Sequence, residues 1–259
     1  MRCEAGYDRW PPRCRIPKTD QPTDPGLHPA TTALLRQIDA HRAGDPLIGA
    51  KVGAKEVFGR VIQALQGERG VHIESLLCAL GALAGYACQA GVQAQLDDPA
   101  LPDPEPFTMV ETGDGTRYCF GNALNAALAE SEYSVWSLAA GAAQDAGATE
   151  FVDMMALFRD VSASIGTPDF GVPRLPEDHR PAALPIAYLQ ALWQPLLPTV
   201  QRFCPDPRQW HLVYALAVQE AIALGRQALD PALALCIVME CALPMSKVLL
   251  PSVQAETAD

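Results

Sequence analysis

The stretch GVHIESLLCALGALAGYACQAGV, residues 70–92, is the most informative part of the sequence. It opens with two titratable residues, His72 and Glu74, and then carries no charge from Ser75 to Val92. On a wheel of 100° per residue, leucines gather on one side and small residues lie roughly opposite. A helix that is apolar on both sides is enclosed on both sides. We therefore predict that residues 71–96 form a buried central helix.

A membrane span is the alternative interpretation of this apolar run. Its 18 residues, Ser75 to Val92, reach the lower length limit for crossing a bilayer. The run is mostly Ala, Gly and Cys, however, and it lacks flanking Lys/Arg clusters and an aromatic belt. We therefore expect the core helix of a soluble protein, with no membrane involved.

The composition is that of an acidic globular protein. Of the 259 residues, 49% are hydrophobic and 19% are charged, and the formal net charge is −11. Such a surface repels phosphate groups and anionic membrane faces, which disfavours nucleic acid as a partner. The N-terminus has no apolar segment typical of a signal peptide. We expect a cytoplasmic protein whose eight cysteines are reduced thiols.

Helix signals recur along most of the chain. Asp-Pro pairs at 45–46, 206–207 and 230–231 each precede a long apolar-periodic stretch; the Asp caps free N–H groups and the Pro presets the first helical φ. Residues 107–120 differ, because β-rich runs flank a Gly-Asp-Gly turn and predict a hairpin. The last predicted helix covers 231–250, and Pro195 and Pro198 are expected to kink or split the predicted helix 184–203. The sequence thus predicts an all-α fold, a single multi-helix domain of about nine helices around helix 71–96, with a small β-hairpin inserted.

Two other segments bear on domain organisation. Residues 1–28 contain five prolines and little periodicity, so we interpret them as a mobile Pro-rich leader before a helical domain over 29–259. The acidic connection at 97–106 is alternatively a boundary between two lobes. We prefer one domain, because the first three helices alone would leave helix 71–96 poorly covered.

The small-residue side of helix 71–96 is a candidate ligand-binding surface. Cys78, Gly81 and Gly85 are spaced by three and four, which lets a neighbouring helix backbone come close or leaves room for a ligand. Tyr118 is a further candidate ligand-binding residue, because the small hairpin that carries it must pack against another part of the protein. No cofactor is indicated. The chain has no C-x-x-C and no histidine cluster, so we expect no metal site.

Glu74 is the first candidate catalytic residue, with His72 beside it. It lies within about one turn of the predicted helix N-terminus, where the helix dipole favours a carboxylate. It is therefore either an ordinary first-turn acid or a partly buried acid at the mouth of a cleft floored by Gly81 and Gly85. Burial would raise its pKa while the dipole would lower it, so the sequence leaves the sign open.

Glu240 is the second candidate catalytic residue. It is the only charge in ALALCIVMECALPMS, residues 232–246, and Pro244 removes the usual hydrogen-bond donor from its carbonyl. It either contributes to a hydrogen-bonding or cation-binding site, forms an ion pair with a cation such as Lys247 or Arg226, or reaches solvent.

Two classes of function follow from these features. The first is a soluble cytosolic binding or interaction protein, with a homo-oligomer, another protein or a small molecule as the partner. The alternative is a small-metabolite enzyme that uses Glu74 or Glu240 as acid or base in a helix-lined cleft, with the long loop 166–183 as a lid. The chain lacks the nucleotide-binding and nucleophile-elbow motifs, which favours the first class. Whether it is an enzyme stays open.

Overall fold

The computed structural model describes residues 29–68, 70–98, 100 and 107–250. The predicted leader, 1–28, and most of the predicted boundary segment, 97–106, lie outside the described residues. In the described part the fold is mostly α-helical with one small antiparallel hairpin, which confirms the predicted fold class.

Eight helices in the described residues have eleven residues or more, and α4 is a single turn that continues as a π-helix. The elements in chain order are α1 (Pro29–His41), α2 (Ile48–Leu65), α3 (Ile73–Leu96), β1 (Thr108–Glu111), β2 (Arg117–Phe120), α4 (Asn122–Asn125), the π-helix (Ala126–Glu130), α5 (Val135–Asp145), α6 (Met154–Ser164), a 3₁₀ turn (Glu177–His179), α7 (Pro185–Phe203), a second 3₁₀ turn (Pro207–Gln209), α8 (Trp210–Gly225) and α9 (Pro231–Met245).

Helix α3 lies at the centre of the fold. Every residue from Glu74 to Gly85 is buried, and α2, α7, α8 and α9 all pack against the helix. By length and composition alone α3 would be able to cross a membrane, but 89% of its most apolar window is buried inside the protein. Buried residues from Ala50 to Met245 form one continuous apolar cluster around it.

The small-residue side of α3 packs against α9. A β-carbon at Gly81 would lie 2.6 Å from the carbonyl oxygen of Val238, and one at Gly85 would collide with the carbonyl oxygen of Ala242. Residue numbers rise together along both helices, so α3 and α9 run in the same direction. The sequence left two interpretations of this side, close packing of a neighbouring helix or room for a ligand. The structure shows the close helix packing.

The chain after α9 differs from the sequence-based expectation of a helix through residue 250. Helix α9 ends at Met245, and the carbonyl of Lys247 then accepts a hydrogen bond from the N–H of Cys119 at 2.9 Å. Val248 forms a bridge with Tyr118. The outer edge of β2 offers unpaired backbone groups, and residues 247–248 satisfy them.

Helix α7 was expected to kink or split at its two internal prolines, and the structure shows that it does not split. It is one continuous helix, and both Pro195 and Pro198 are exposed. A proline removes the hydrogen bond to the carbonyl four residues earlier. On a solvent-facing side, water replaces the missing donor.

Candidate functional site

The loop between α6 and α7 covers the buried carboxylate of Glu240, which is 8% exposed. The backbone N–H of Arg174 donates to Oε2 at 3.2 Å, and the Arg174 Nη2 donates to Oε1 at 3.1 Å. The same guanidinium also donates to Asp160 of α6. Burial works to lower the pKa of Arg174, but the hydrogen bonds to Asp160 and Glu240 outweigh it and leave the pKa raised. Glu240 is therefore ion-paired, with Arg174 rather than Lys247 or Arg226.

A pocket of about 270 Å³ opens beside this ion pair. Its lining combines polar and charged residues with apolar ones; the first group is Asp160, Ser164, Asp169, Arg174 and Glu240, and the second is Val161, Gly171, Val172 and Pro244. Three carboxylates face a single guanidinium. Asp169 is exposed, and among the described residues its carboxylate has no hydrogen-bond or ion-pair partner. The lining therefore has a net negative charge.

Glu74 is also buried, at 7% exposure, and both of its oxygens are occupied. Nδ1 of His179 lies 3.0 Å from Oε1, and Nε2 of His72 lies 3.1 Å from Oε2. Burial works to raise the pKa of Glu74, but the hydrogen bond from His179 and the neighbouring histidines hold it below its usual value. The neighbouring Ser75 hydroxyl accepts a hydrogen bond from the N–H of Ala182 at 3.0 Å. These contacts dock the end of the loop onto the N-terminus of α3.

The two candidate acids lie apart. Because Gly81 faces Val238 and Gly85 faces Ala242, Glu240 lies at the height of residue 83 on α3. Glu74 lies nine residues before position 83 (83 − 74). At 1.5 Å of rise per residue this is about 14 Å along the helix axis. One loop nevertheless reaches both acids, through Arg174 and His179.

The remaining predicted site residues take packing positions. Gly81 and Gly85 face the backbone of α9, which fills the space that a ligand would need. Cys78 is fully buried and lies close to Cys241, whose thiol pKa is raised mainly by burial. Tyr118 is buried beneath the loop, edge-to-face with Phe170 and with 4.8 Å between ring centroids.

Sequence reasoning missed two acids of the pocket and one buried cation. Asp160 and Asp169 come from α6 and from the loop after it, and only the tertiary fold brings them to Glu240. Lys247 was proposed as a partner for Glu240 but instead donates to Asn125 Oδ1 at 3.2 Å. In the part of the chain that the structure describes, no three His, Cys, Asp or Glu residues are grouped to hold a metal ion.

No family model matches this chain, and no curated protein or solved structure matches it either.

Proposed function

We propose that the chain is a binding protein whose pocket between α6, the α6–α7 loop and α9 takes a small organic cation. One observation carries the proposal: three carboxylates, one guanidinium and the Ser164 hydroxyl line a pocket whose other residues are apolar. A ligand pocket of this kind combines apolar walls with a few polar groups that orient the ligand.

The charges in the pocket favour a cation over an anion. Arg174 already donates to both Asp160 and Glu240, so its positive charge is matched by theirs. Asp169 at the rim is left without a partner among the described residues. The formal net charge of −11 adds a long-range attraction for positively charged solutes. An ammonium group therefore meets a favourable potential at the mouth of this pocket.

The size and the walls of the pocket favour a short alkyl amine. Its volume of about 270 Å³ is below the range of pockets that hold drug-sized ligands, roughly 300–1,000 Å³. Val161, Val172 and Pro244 offer apolar contacts to a short hydrocarbon chain. An amine that places its charge at the rim and its chain against these residues satisfies both kinds of lining residue.

The contacts of the two acids favour binding over acid–base catalysis. A carboxylate that transfers a proton needs an oxygen within reach of the substrate. Both oxygens of Glu74 are paired with histidines, and both oxygens of Glu240 accept hydrogen bonds from Arg174. The enzyme hypothesis therefore gains no support from the geometry of these residues.

A thermal-shift experiment tests the proposal, because a ligand of the native state raises the melting temperature. The probes are n-butylamine and putrescine, compared with butyrate and butanol at equal concentration. We expect a rise with the two amines only, and a smaller rise at high salt, because salt screens the attraction.

Two variants that each remove one negative charge test whether the amines bind in this pocket. Asp169→Asn removes the unpartnered rim carboxylate, and Glu150→Gln removes one exposed negative charge at the turn before α6. We expect Asp169→Asn to weaken amine binding about tenfold and Glu150→Gln to leave it unchanged. Equal shifts with butyrate and butylamine, or equal effects of the two variants, would contradict the proposal.

A further inference from the structure

A second pocket, of about 260 Å³, lies between the C-terminal part of α3, the π-helix and the 3₁₀ turn that precedes α8. Its apolar contacts come from Val92, Ala123 and Ala127. Ser131 and Arg208 also line it, and both are exposed, so the pocket is open to solvent. It shares no lining residue with the pocket around Glu240. An inference about this pocket is therefore independent of the proposed cation binding.

Two features of the backbone shape this pocket. A β-carbon at Gly91 would lie 2.5 Å from the carbonyl oxygen of Pro207, so the glycine lets the 3₁₀ turn pack directly on α3. The π-helix ends with a hydrogen bond from the N–H of Ser131 to the carbonyl of Ala126 at 2.9 Å. Short π-helical turns of this kind occur frequently at functional sites. Together they bring the start of α8 and the end of the π-helix to the same pocket.

His211 lines the pocket and carries an unpaired hydrogen-bond acceptor. Its Nε2 lies 3.2 Å from the carbonyl oxygen of Tyr133, so Nε2 holds the hydrogen and donates it. Burial lowers the pKa of His211 to about 4, so the ring is neutral at pH 7 and Nδ1 keeps its lone pair. Among the described residues only Gln89 and Tyr214 have side-chain polar atoms that are fully buried and unpartnered. The Nδ1 atom of His211 has no protein partner there and is therefore accessible to a small molecule.

Arg208 supplies a hydrogen-bond donor beside this acceptor. Its Nε and Nη2 donate to the carboxylate of Asp206 at 3.0 Å and 2.7 Å, which leaves Nη1 without a partner among the described residues. The ion pair with Asp206 balances the charge of Arg208, while the Nη1 hydrogens stay available. Arg208 and His211 are three residues apart in continuous helical backbone, and side chains at that spacing are neighbours. The pocket therefore combines one free acceptor with one free donor.

We propose that this pocket binds a small uncharged carboxamide. The amide N–H of the ligand donates to Nδ1 of His211, and its carbonyl oxygen accepts from Nη1 of Arg208. Its short hydrocarbon group contacts Val92, Ala123 and Ala127. The volume of about 260 Å³ is below the roughly 300–1,000 Å³ of pockets for drug-sized ligands, so a ligand of few non-hydrogen atoms fits it.

The donor and the acceptor discriminate among molecules of similar size. A carboxylate has no hydrogen for Nδ1 of His211 and sets its own lone pairs against that nitrogen. An ammonium ion meets the guanidinium of Arg208. An alcohol serves both groups with one oxygen, whereas an amide reaches them with two atoms. Cys88 also lines the pocket but adds no charge, because burial raises its thiol pKa and the thiol donates to the carbonyl of Ala84.

Nuclear magnetic resonance of the His211 ring tests both the tautomer and the contact. The probe is isobutyramide, compared with isobutyrate, isobutylamine and isobutanol at equal concentration and pH 7. In the ¹⁵N-labelled full chain, long-range ¹H–¹⁵N spectra report both ring nitrogens of each histidine, and the signals lost in His211→Gln assign this residue. We expect a protonated Nε2 and an unprotonated Nδ1. Isobutyramide is expected to shift the Nδ1 resonance along a saturable curve in the millimolar range, and the other three are expected to shift it little.

The same spectra can overturn the proposal. A hydrogen on Nδ1 of His211 at pH 7 would remove the acceptor on which the proposal rests. A shift of Nδ1 by isobutyrate as large as that by isobutyramide would show that the pocket does not recognise the amide group. The absence of any saturable shift with isobutyramide would exclude the contact.

Two variants test whether the amide lies in this pocket, with binding followed on the ligand by saturation-transfer NMR. His211→Gln keeps an N–H for the carbonyl of Tyr133 but removes Nδ1, and we expect about tenfold weaker binding. Ala127→Leu leaves His211 intact and fills the pocket, so saturable binding is expected to be lost. Ala129→Leu is its control, because Ala129 is in the same π-helix and does not line the pocket. Asp169→Asn, in the other pocket, is expected to leave amide binding unchanged. Binding to Ala127→Leu as tight as to the wild-type chain, or equal losses in the two leucine variants, would contradict the proposal.

Discussion

Glu240 and Lys247 are two buried charged residues near the end of α9, and their surroundings differ: one has an oppositely charged partner and the other does not. Their exposures are similar, 8% and 3%. Glu240 accepts hydrogen bonds from the backbone and the guanidinium of Arg174, so a full opposite charge compensates its burial. Lys247 meets one neutral amide oxygen and two aromatic rings. Burial alone therefore does not define the state of a charged group; its partner does.

The comparison assigns different roles to the two residues. The carboxylate of Glu240 is paired with Arg174 and holds the α6–α7 loop against α9, which is an architectural role at the edge of a pocket. An unpaired ammonium ion in apolar surroundings is costly, and losing its proton relieves that cost. Helix α9 therefore carries an anchor for the loop at Glu240, while Lys247, two residues past the end of the helix, is a buried amine without a carboxylate partner among the described residues.

The largest effect is expected from separating α9 from α3, because this displaces both buried charges together. Ala242 lies between the two charges in sequence, and its carbonyl oxygen occupies the place that a β-carbon on Gly85 would take. Gly85→Ala forces the two backbones apart, and we expect it to cost about 3 kcal/mol of unfolding free energy or more. Urea denaturation measures the loss.

A second glycine provides the control for this prediction. Gly59 lies on α2, and no atom lies within 4 Å of the place of its β-carbon. Gly59→Ala is therefore expected to stabilise the protein by about 0.5–1 kcal/mol, as in an unhindered helix. If Gly85→Ala behaved like Gly59→Ala, the close packing of α3 and α9 would be wrong.

Two substitutions, one beside Glu240 and one at Lys247 itself, test how differently the two buried charges affect stability. Arg174→Ala leaves the Glu240 carboxylate buried without a cation, with only the backbone N–H of residue 174 still donating to it. The side chain of Arg174 is 49% exposed, so water reduces the cost from the 3–5 kcal/mol of a fully buried pair to about 2–3 kcal/mol. Lys247→Met keeps an apolar chain among the aromatic rings and is expected to change stability by less than about 1 kcal/mol at pH 7.

The control for the loop is Arg180→Ala. Arg180 is exposed in the same loop and makes no ion pair among the described residues, so its loss is expected to cost less than about 0.5 kcal/mol. If Arg174→Ala were as mild as Arg180→Ala while Lys247→Met were severe, the roles of the two buried charges would be reversed.

The sequence predicted the helices well, because each depends on local information. The run around Leu76, Leu80 and Leu83 has helical periodicity and no charge, which is enough to identify α3 as a core helix. Asp-Pro pairs and glycines mark helix ends within a few residues. The predicted path of the chain after Met245 was wrong, because no local sequence signal indicates that residues 247–248 pair with the edge of β2.

The candidate site was only partly predictable. A lone carboxylate in an apolar helix identified Glu240 as important, but its partner comes from a loop 66 residues earlier in the chain. Partners at that separation depend on how α6 and α9 pack, which no spacing in the sequence encodes. Lys247 was missed as a buried amine because a lysine near a helix end is usually solvated.

The pH dependence of stability distinguishes a neutralised Lys247 from a permanently charged one. The pKa of Lys247 is lowered to about 8 in the folded state, against an ordinary value of 10.5. Between these values the unfolded chain binds more protons, so the buried amine destabilises the fold below pH 8 and this penalty fades as pH rises toward 10.5. Relative to Lys247→Met, the wild-type chain is therefore expected to gain about 2 kcal/mol of unfolding free energy between pH 7 and pH 9.5, measured by urea denaturation.

Lys55→Met, which removes an exposed lysine, is the control, and its unfolding free energy is expected to follow the wild-type pH profile throughout. If all three profiles stayed parallel, Lys247 would keep its proton, and the contrast with Glu240 would be only one of packing.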